Sequence, residues 1–271
     1  MSTYNDSSQF TQRNEIEQTL HDEFYTGIGF SDEELMKACA AERLALYRDN
    51  PYRDHSPKQY QFFILGSLLG KLVCDYACGD GADSILLVNN GAQKVIAFDI
   101  SQSAVDITQR RAMLCGLQNR IEVHLDNAEK LSFESNSFDA IYGSSTLHHL
   151  DIERAAREVY RVLKPGGRAV FREPFEQSKF LAFLTKLIFA ITPLKPDAVT
   201  PQRQLNTTDI AMLRSIFSEV RVKPFGIFNR VDRIIRSEKI MLKINMLDKF
   251  FLDNFPFLIR YARHIVIECI K

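Results

Sequence analysis

The chain has 271 residues, 45% of them hydrophobic, enough to bury one core with decorations around it. Its 34 basic and 34 acidic residues cancel, which removes the charge excess expected of a nucleic-acid or anionic-membrane binder. The five cysteines are odd in number and scattered, a pattern that predicts a reducing, cytoplasmic setting rather than a disulfide framework.

The opening MSTYNDSSQF lacks the basic and apolar regions of a signal peptide, and residues 1 to 12 are expected to be mobile. A first helix is predicted over Asn14 to Phe24, ending at the aromatic pair Phe24 and Tyr25. Ser31 and Glu34 have capping-box spacing, and Met36, Ala40, Leu44 and Tyr47 recur at helical spacing behind them. Ser56 followed by Pro57 starts another helix. Residues 1–55 therefore read as a helical cap in front of a core spanning 56–225 and 260–271.

That core opens with Leu72 to Asp99. Leu72, Val73 and Cys74 suit a strand buried on both faces, Gly79 and Gly81 stand where the chain must turn, and Ser84 to Asn90 suits a helix with Gly91 at its end. Val95 to Phe98 form a second strand that ends on Asp99. A strand, glycine turn and helix followed about twenty residues later by an acid is a nucleoside-binding arrangement: the helix start offers free N–H groups and the acid accepts from ribose hydroxyls. Cys74 and Cys78 straddle the turn without further ligands at metal spacing and are read as packing residues, so no metal is expected. Further on, Ser101 caps a helix to about Cys115, and strands follow at Ile121 to Leu125, Phe138 to Tyr142 and Arg168 to Arg172. Asp151 opens a helix through Val162, and Lys164 to Gly167 is a turn. The alternation predicts a doubly wound α/β fold with a mostly parallel sheet. Phe180 to Ile191 is apolar but short for a membrane span and contains Lys186, so no stable membrane insertion is expected. After the connection TPLKPDAVTPQRQ, Thr207 or Thr208 caps a helix, and Glu219 to Phe225 and Arg263 to Ile270 are the sixth and seventh strands. Between them, residues 226–259 look helical and are read as a lid carrying Ile234, Ile235, Met241, Met246, Phe250, Phe251 and Phe255, or as a homodimer interface.

The stretch Asp75, Tyr76, Ala77, Cys78, Gly79, Asp80, Gly81 resembles motif I of the class I S-adenosylmethionine-dependent methyltransferases, with Ala77 where the family's first glycine stands. NAEKLSFESNSFDAIYGSSTLHHL and LKPGGRAVFREP extend the resemblance to Pro174, in the order and spacing of bacterial small-molecule and quinone-type members. It implies a seven-stranded sheet whose last strand is antiparallel, here preceded by a helical insertion at residues 226–259, S-adenosylmethionine as cofactor, and methyl transfer to an O, N or C atom of a largely apolar small molecule. It also implies roles. Asp75 to Gly81, with Ala77, Cys78 and Gly79, would line the methionine and ribose, Asp99 would take the ribose hydroxyls, and Ile100 would press on adenine. The adenine amino group would meet Asn127 or its neighbour Asp126, beside Ala128, and Ser144 and Ser145 would lie near the reacting centre. His148 and His149 are the candidate general bases, since imidazole titrates near neutrality, and Glu173 is a third. Tyr25, Phe24 or Tyr76 would set a ring face against the sulfonium. Two rival readings remain at this point: a nicotinamide dinucleotide site, whose GxGxxG would fall on Gly79, Gly81 and Ser84, and a non-enzymatic scaffold that keeps the cofactor fold.

Overall fold

The central strand is β1 (Leu72–Tyr76), paired in parallel with β2 (Lys94–Asp99) on one side and β4 (Phe138–Ser144) on the other. The computed structural model describes residues 3–39, 56–175, 203–228 and 237–271. β3 (Ile121–Leu125) lies outside β2, and β5 (Leu163–Pro174) lies outside β4. β7 (His264–Ile270) runs antiparallel between β5 and β6 (Glu219–Phe225), giving the order β3-β2-β1-β4-β5-β7-β6. This is the predicted seven-stranded sheet with its antiparallel last strand. Strand order reverses between β1 and β4, so the crevice at their carboxyl ends is where such a sheet places a ligand.

Helices cover both faces because β1 and β2 are apolar on both. Phe62 and Leu65 of α3 (Pro57–Leu65) and Ile85 and Leu87 of α4 (Ala82–Asn89) pack with Val73 on one face. On the other, Val159 of α6 (Ile152–Val162) and Leu213 of α7 (Thr207–Ile216) join Tyr76, Phe98 and Phe171. Each such side chain fully removed from water contributes roughly 1.5–3 kcal/mol. Local chemistry sets the helix starts: Ser101 accepts from Ala104 N–H ahead of α5 (Gln102–Leu114), and Asp151 accepts from Arg154 N–H ahead of α6.

Several expectations are corrected. The first helix, α1, runs Thr3–Ile28 rather than starting at Asn14; its polar opening carries no apolar stripe from which to read a helix, yet the backbone winds through it. The next helix, α2 (Asp32–Met36), has the predicted capping box between Ser31 and Glu34, whereas Ala40, Leu44 and Tyr47 lie outside the described residues. Asn206, not Thr207 or Thr208, caps α7, because its carbonyl oxygen reaches both the Thr208 and Asp209 N–H groups while Asp209 accepts from Asn206 N–H. The turn at Lys164 to Gly167 is a bulge inside β5: Leu163 pairs with Phe138, and the ladder resumes at Arg168 with Ala140. Cys39 and Cys115 form a disulfide, against the all-thiol expectation, since the fold brings together two positions 76 residues apart; Cys74, Cys78 and Cys269 are free and buried.

The apolar stretch at 180–191, most of the proline-bearing connection, and Ile234 and Ile235 also lie outside the described residues. Within the insertion, α8 (Glu238–Asn254) packs beside β6, where Asp248 accepts from the N–H groups of Ile227 and Phe228. The insertion leaves and re-enters the sheet at one point, for Arg263 N–H donates to the carbonyls of Phe225 and Gly226. No helix among the described residues is long and apolar enough to cross a membrane.

Candidate cofactor site

The turn after β1 is built from left-handed backbone. Gly79 and Gly81 have φ of 55° and 72°, and Ala77 adopts φ 55°, a conformation that costs a residue with a Cβ roughly 1–2 kcal/mol. A Cβ on Gly81 would lie 2.6 Å from the Thr108 methyl, so that position excludes a side chain on space as well as on dihedral angle, whereas one on Gly79 would lie 2.5 Å from the Tyr25 hydroxyl and would displace the end of that side chain. Asp99, at the end of β2 and 5% exposed, accepts from Gly79 N–H at 2.9 Å and from Ser101 N–H at 3.0 Å. Burial raises its pKa, and these two bonds oppose the rise.

Beside this turn lies a cavity of about 200 Å³. Its floor is Ala77, Phe98, Asp99 and Ile100, with Asn127 and Ala128 at one end and Ser144, Ser145, Thr146, His149 and Leu150 at the other. A second cavity of about 320 Å³ is lined by Phe24, Asp75, Cys78, Gly79, Asp80 and Asp83, among others. Tyr25, Ala77 and Ser144 line both, so the two are halves of one cleft partitioned by the Tyr25 ring. Burial and the charges of Asp99 and Asp80 push the Tyr25 phenol well up, which keeps it neutral.

The roof is the first helix. Asn14, Glu17, His21 and Tyr25 fall on one face at spacings of three and four, and that face closes the cavity. The helix is tied down along its length: Arg13 pairs with buried Glu129, His149 Nδ1 lies 3.3 Å from Glu17 Oε2, and Asp22 accepts from Ser101 Oγ at 2.6 Å and Ser103 N–H at 3.1 Å. The bonds from His149 and His21 hold the Glu17 carboxyl down at about 2, and Glu17 in turn raises His21.

The remaining sequence candidates divide by position. Asn127 lines the cavity, its carbonyl oxygen accepting from Glu129 N–H, whereas Asp126 is turned into its own loop to accept from Ser132. Asp75 is 2% exposed and takes the Ser84 hydroxyl at 2.5 Å; burial first, and then Asp83, lifts its pKa to about 8. Gly81 shapes the turn from behind, against Thr108, and lines neither cavity. Tyr76 is fully buried, donating to Ala128 C=O at 2.7 Å, and lines neither of the two cavities. Of the two histidines, His149 lines the first cavity, while His148 lies behind it with Nδ1 2.8 Å from Glu173 Oε2. Glu173 is wholly buried, and its other oxygen accepts from the N–H groups of Thr146 and Leu147 at 2.9 Å. It fixes the turn that carries His149 and has no open side toward the cleft. Asn14, Glu17 and His21 were missed in the sequence, where a 17-21-25 polar and aromatic stripe was their only signal.

An acid, an amide carbonyl, and Ile100 with Ala128 as apolar surfaces for a flat ring are a lining that fits an adenosine-bearing cofactor. The left-handed turn at Ala77 to Gly81 supplies the close backbone approach such a ligand needs. A profile of the methyltransferase domain family matches residues 73–167, which carry this turn, Asp99, Asn127 and His149. Residues 73–167 are thus similar to a methyltransferase domain. The chain is 37% identical over 120 residues to the demethylmenaquinone methyltransferase of Symbiobacterium thermophilum, covering 42% of this chain and 47% of the relative. It is 42% identical over 93 residues to the ubiquinone/menaquinone biosynthesis C-methyltransferase UbiE of Brucella canis, covering 33% and 34%. The chain thus spans about half the length of the first and a third of the second. Among solved structures, the fold is similar to geranyl diphosphate C-methyltransferase from Streptomyces coelicolor A3(2), with a TM-score of 0.56 at 13% identity over 79% of this chain and 78% of that one. It is also similar to the [4+2]-cyclase SpnF, with a TM-score of 0.53 at 18% identity over 77% and 79%. At these identities the likeness is one of fold, and one fold hosts more than one reaction.

Proposed function

We propose that the protein transfers a methyl group from S-adenosylmethionine to an O, N or C atom of a largely apolar small molecule. The observation that carries this reading is the single cleft running from Asn127 past Asp99 to Asp75, with the left-handed turn at its centre. In this reading Asp99, Ile100, Asn127 and Ala128 hold the adenosine, and Gly79, Tyr25 and Asp75 hold the amino-acid end. Bound there, the cofactor supplies an electrophilic methyl on a sulfonium. The chain's own part is alignment: a nucleophile held behind the methyl on a fixed line needs little further help. Ser144, Ser145 and His149, at the far end of the first cavity, border the acceptor, and the roof keeps water from it. An apolar acceptor is favoured by the cavity's Phe98, Ile100, Ala128 and Leu150, and by the quinone and geranyl diphosphate named for the relatives.

Calorimetry against S-adenosylmethionine, S-adenosylhomocysteine and NAD tests the cofactor, and the expected result is stoichiometric binding of the first two. Binding of NAD alone would overturn the reading, as would cofactor binding with no transfer of a labelled methyl to any quinol, phenol or prenyl acceptor. We place the protein in the cytoplasm on its three free buried thiols, with the oxidation state of Cys39 and Cys115 in freshly lysed cells as the check. We also propose that the exposed α8 residues Ile240, Leu247 and Phe250 meet a second copy of the chain, since none of the described residues of 237–261 lines either cavity. A monomeric mass in solution would remove that interface.

A further inference from the structure

We propose that Glu17, His21 and His149 form a site for one divalent transition-metal cation of the zinc class, set in the roof of the first cavity. Two imidazole nitrogens and a carboxylate oxygen are the donor set of three-ligand zinc sites, which leave a fourth position open. The geometry is close to what such an ion needs. His149 Nδ1 lies 3.3 Å and His21 Nε2 3.6 Å from Glu17 Oε2, and the three donor atoms all fall within 4.8 Å of one another. A tetrahedral ion about 2.0–2.1 Å from each ligand holds neighbouring ligands about 3.3 Å apart, so small side-chain adjustments admit it.

The two elements that bring the donors together do so for independent reasons. Glu17 and His21 are four residues apart on α1 and therefore share a face. His149 ends the one-turn helix Leu147–His149, which Glu173 pins from beneath through the N–H groups of Thr146 and Leu147. All three side chains line the cavity, and they are partly buried, with His149 10% exposed. Surface acidic clusters, by contrast, carry no neutral nitrogen ligands and face open water.

An ion here would do two things. It would clamp the roof to the core, because two ligands come from the helix and one from the turn after β4. Its open position would face the acceptor end of the cavity, where an acceptor hydroxyl or carbonyl oxygen can ligate; a metal-bound hydroxyl gives up its proton more readily than a free one. The binding site itself does not depend on the methyl-transfer reading, since it can be read with metal alone.

The test is titration of the chelator-stripped full-length chain with zinc ion by calorimetry, and with cobalt(II) ion by visible absorption, in the absence of cofactor and acceptor. One saturable zinc per chain is expected, with the intense d–d bands of four-coordinate cobalt. Glu17→Gln, His21→Ala and His149→Ala should each weaken binding by roughly tenfold or more. His124→Ala, which removes a half-buried histidine paired with Glu122 away from the cavity, should not. Far-UV circular dichroism screens each variant for folding, and Glu17→Gln, the shape-preserving change, remains informative if a histidine variant fails that screen. Absence of saturable binding, six-coordinate cobalt spectra, or affinities unmoved by Glu17→Gln and His21→Ala would each overturn the proposal.

Discussion

Replacing Asp99 with Asn isolates what the acid at the end of β2 does. The two backbone donors, Gly79 N–H and Ser101 N–H, each meet a separate oxygen of the carboxylate at 2.9 and 3.0 Å. An amide of the same shape offers only one oxygen, so one of these N–H groups must face an NH₂. Leaving a buried donor unmatched costs roughly 1–3 kcal/mol of stability. In the proposed site the ligand loses more than geometry, because ribose hydroxyls that would donate to a charged acceptor would meet a neutral one, at about 1.5–3 kcal/mol, or roughly 10- to 150-fold in affinity. Calorimetry with S-adenosylhomocysteine, run well below the variant's own melting temperature, reads the second effect apart from the first. A folded Asp99→Asn protein that binds as tightly as the parent would remove Asp99 from the cofactor site and undercut the whole assignment of the cleft.

Three further outcomes follow from the same physical grounds. Ala77→Gly should raise stability in urea melts by about 0.5–1 kcal/mol, since relief of the left-handed strain exceeds the added chain entropy of glycine. Asp75 binds its proton up to about pH 8 in the folded chain but only to about pH 4 when unfolded, so stability should fall as pH rises across that window, by at most about 1.4 kcal/mol per unit, and Asp75→Asn should flatten the slope. Reduction of the Cys39–Cys115 disulfide should cost roughly 2–4 kcal/mol in denaturant melts, and Cys39→Ser should make the protein indifferent to reductant.

The parts of this architecture that could be read from the sequence are those governed by local rules. Ser101 and Asp151 announce their helices because a short polar oxygen must meet the free N–H groups at a helix start, and Gly79 and Gly81 announce a turn because little else tolerates the dihedral angles. The apolar runs at Val73 and Val95 give buried parallel strands for the same kind of reason. What escaped the reading is set at long range. Nothing near Cys39 indicates that Cys115 will stand beside it. Glu173 looks like a base at a strand end until the fold buries it among the N–H groups of Thr146 and Leu147. Glu17 and His21 sit on a helix that is polar on most faces, so the face that matters is defined only when the helix lies across the cleft. The bulge in β5 was hidden because Gly166 and Gly167 signal a turn equally well between strands and within one.

The position of Tyr25 constrains the kinetics of whatever enters. Its hydroxyl stands over Gly79, where a bound ligand would have to come against the backbone, and its ring separates the two halves of the cleft. A molecule long enough to span both halves must wait for that ring to swing aside, and with it a helix fastened at Arg13, Glu17 and Asp22. Association should therefore level off at high ligand concentration, at a ceiling set by how often the protein opens itself. Trimming the ring should raise that ceiling and shorten the ligand's residence.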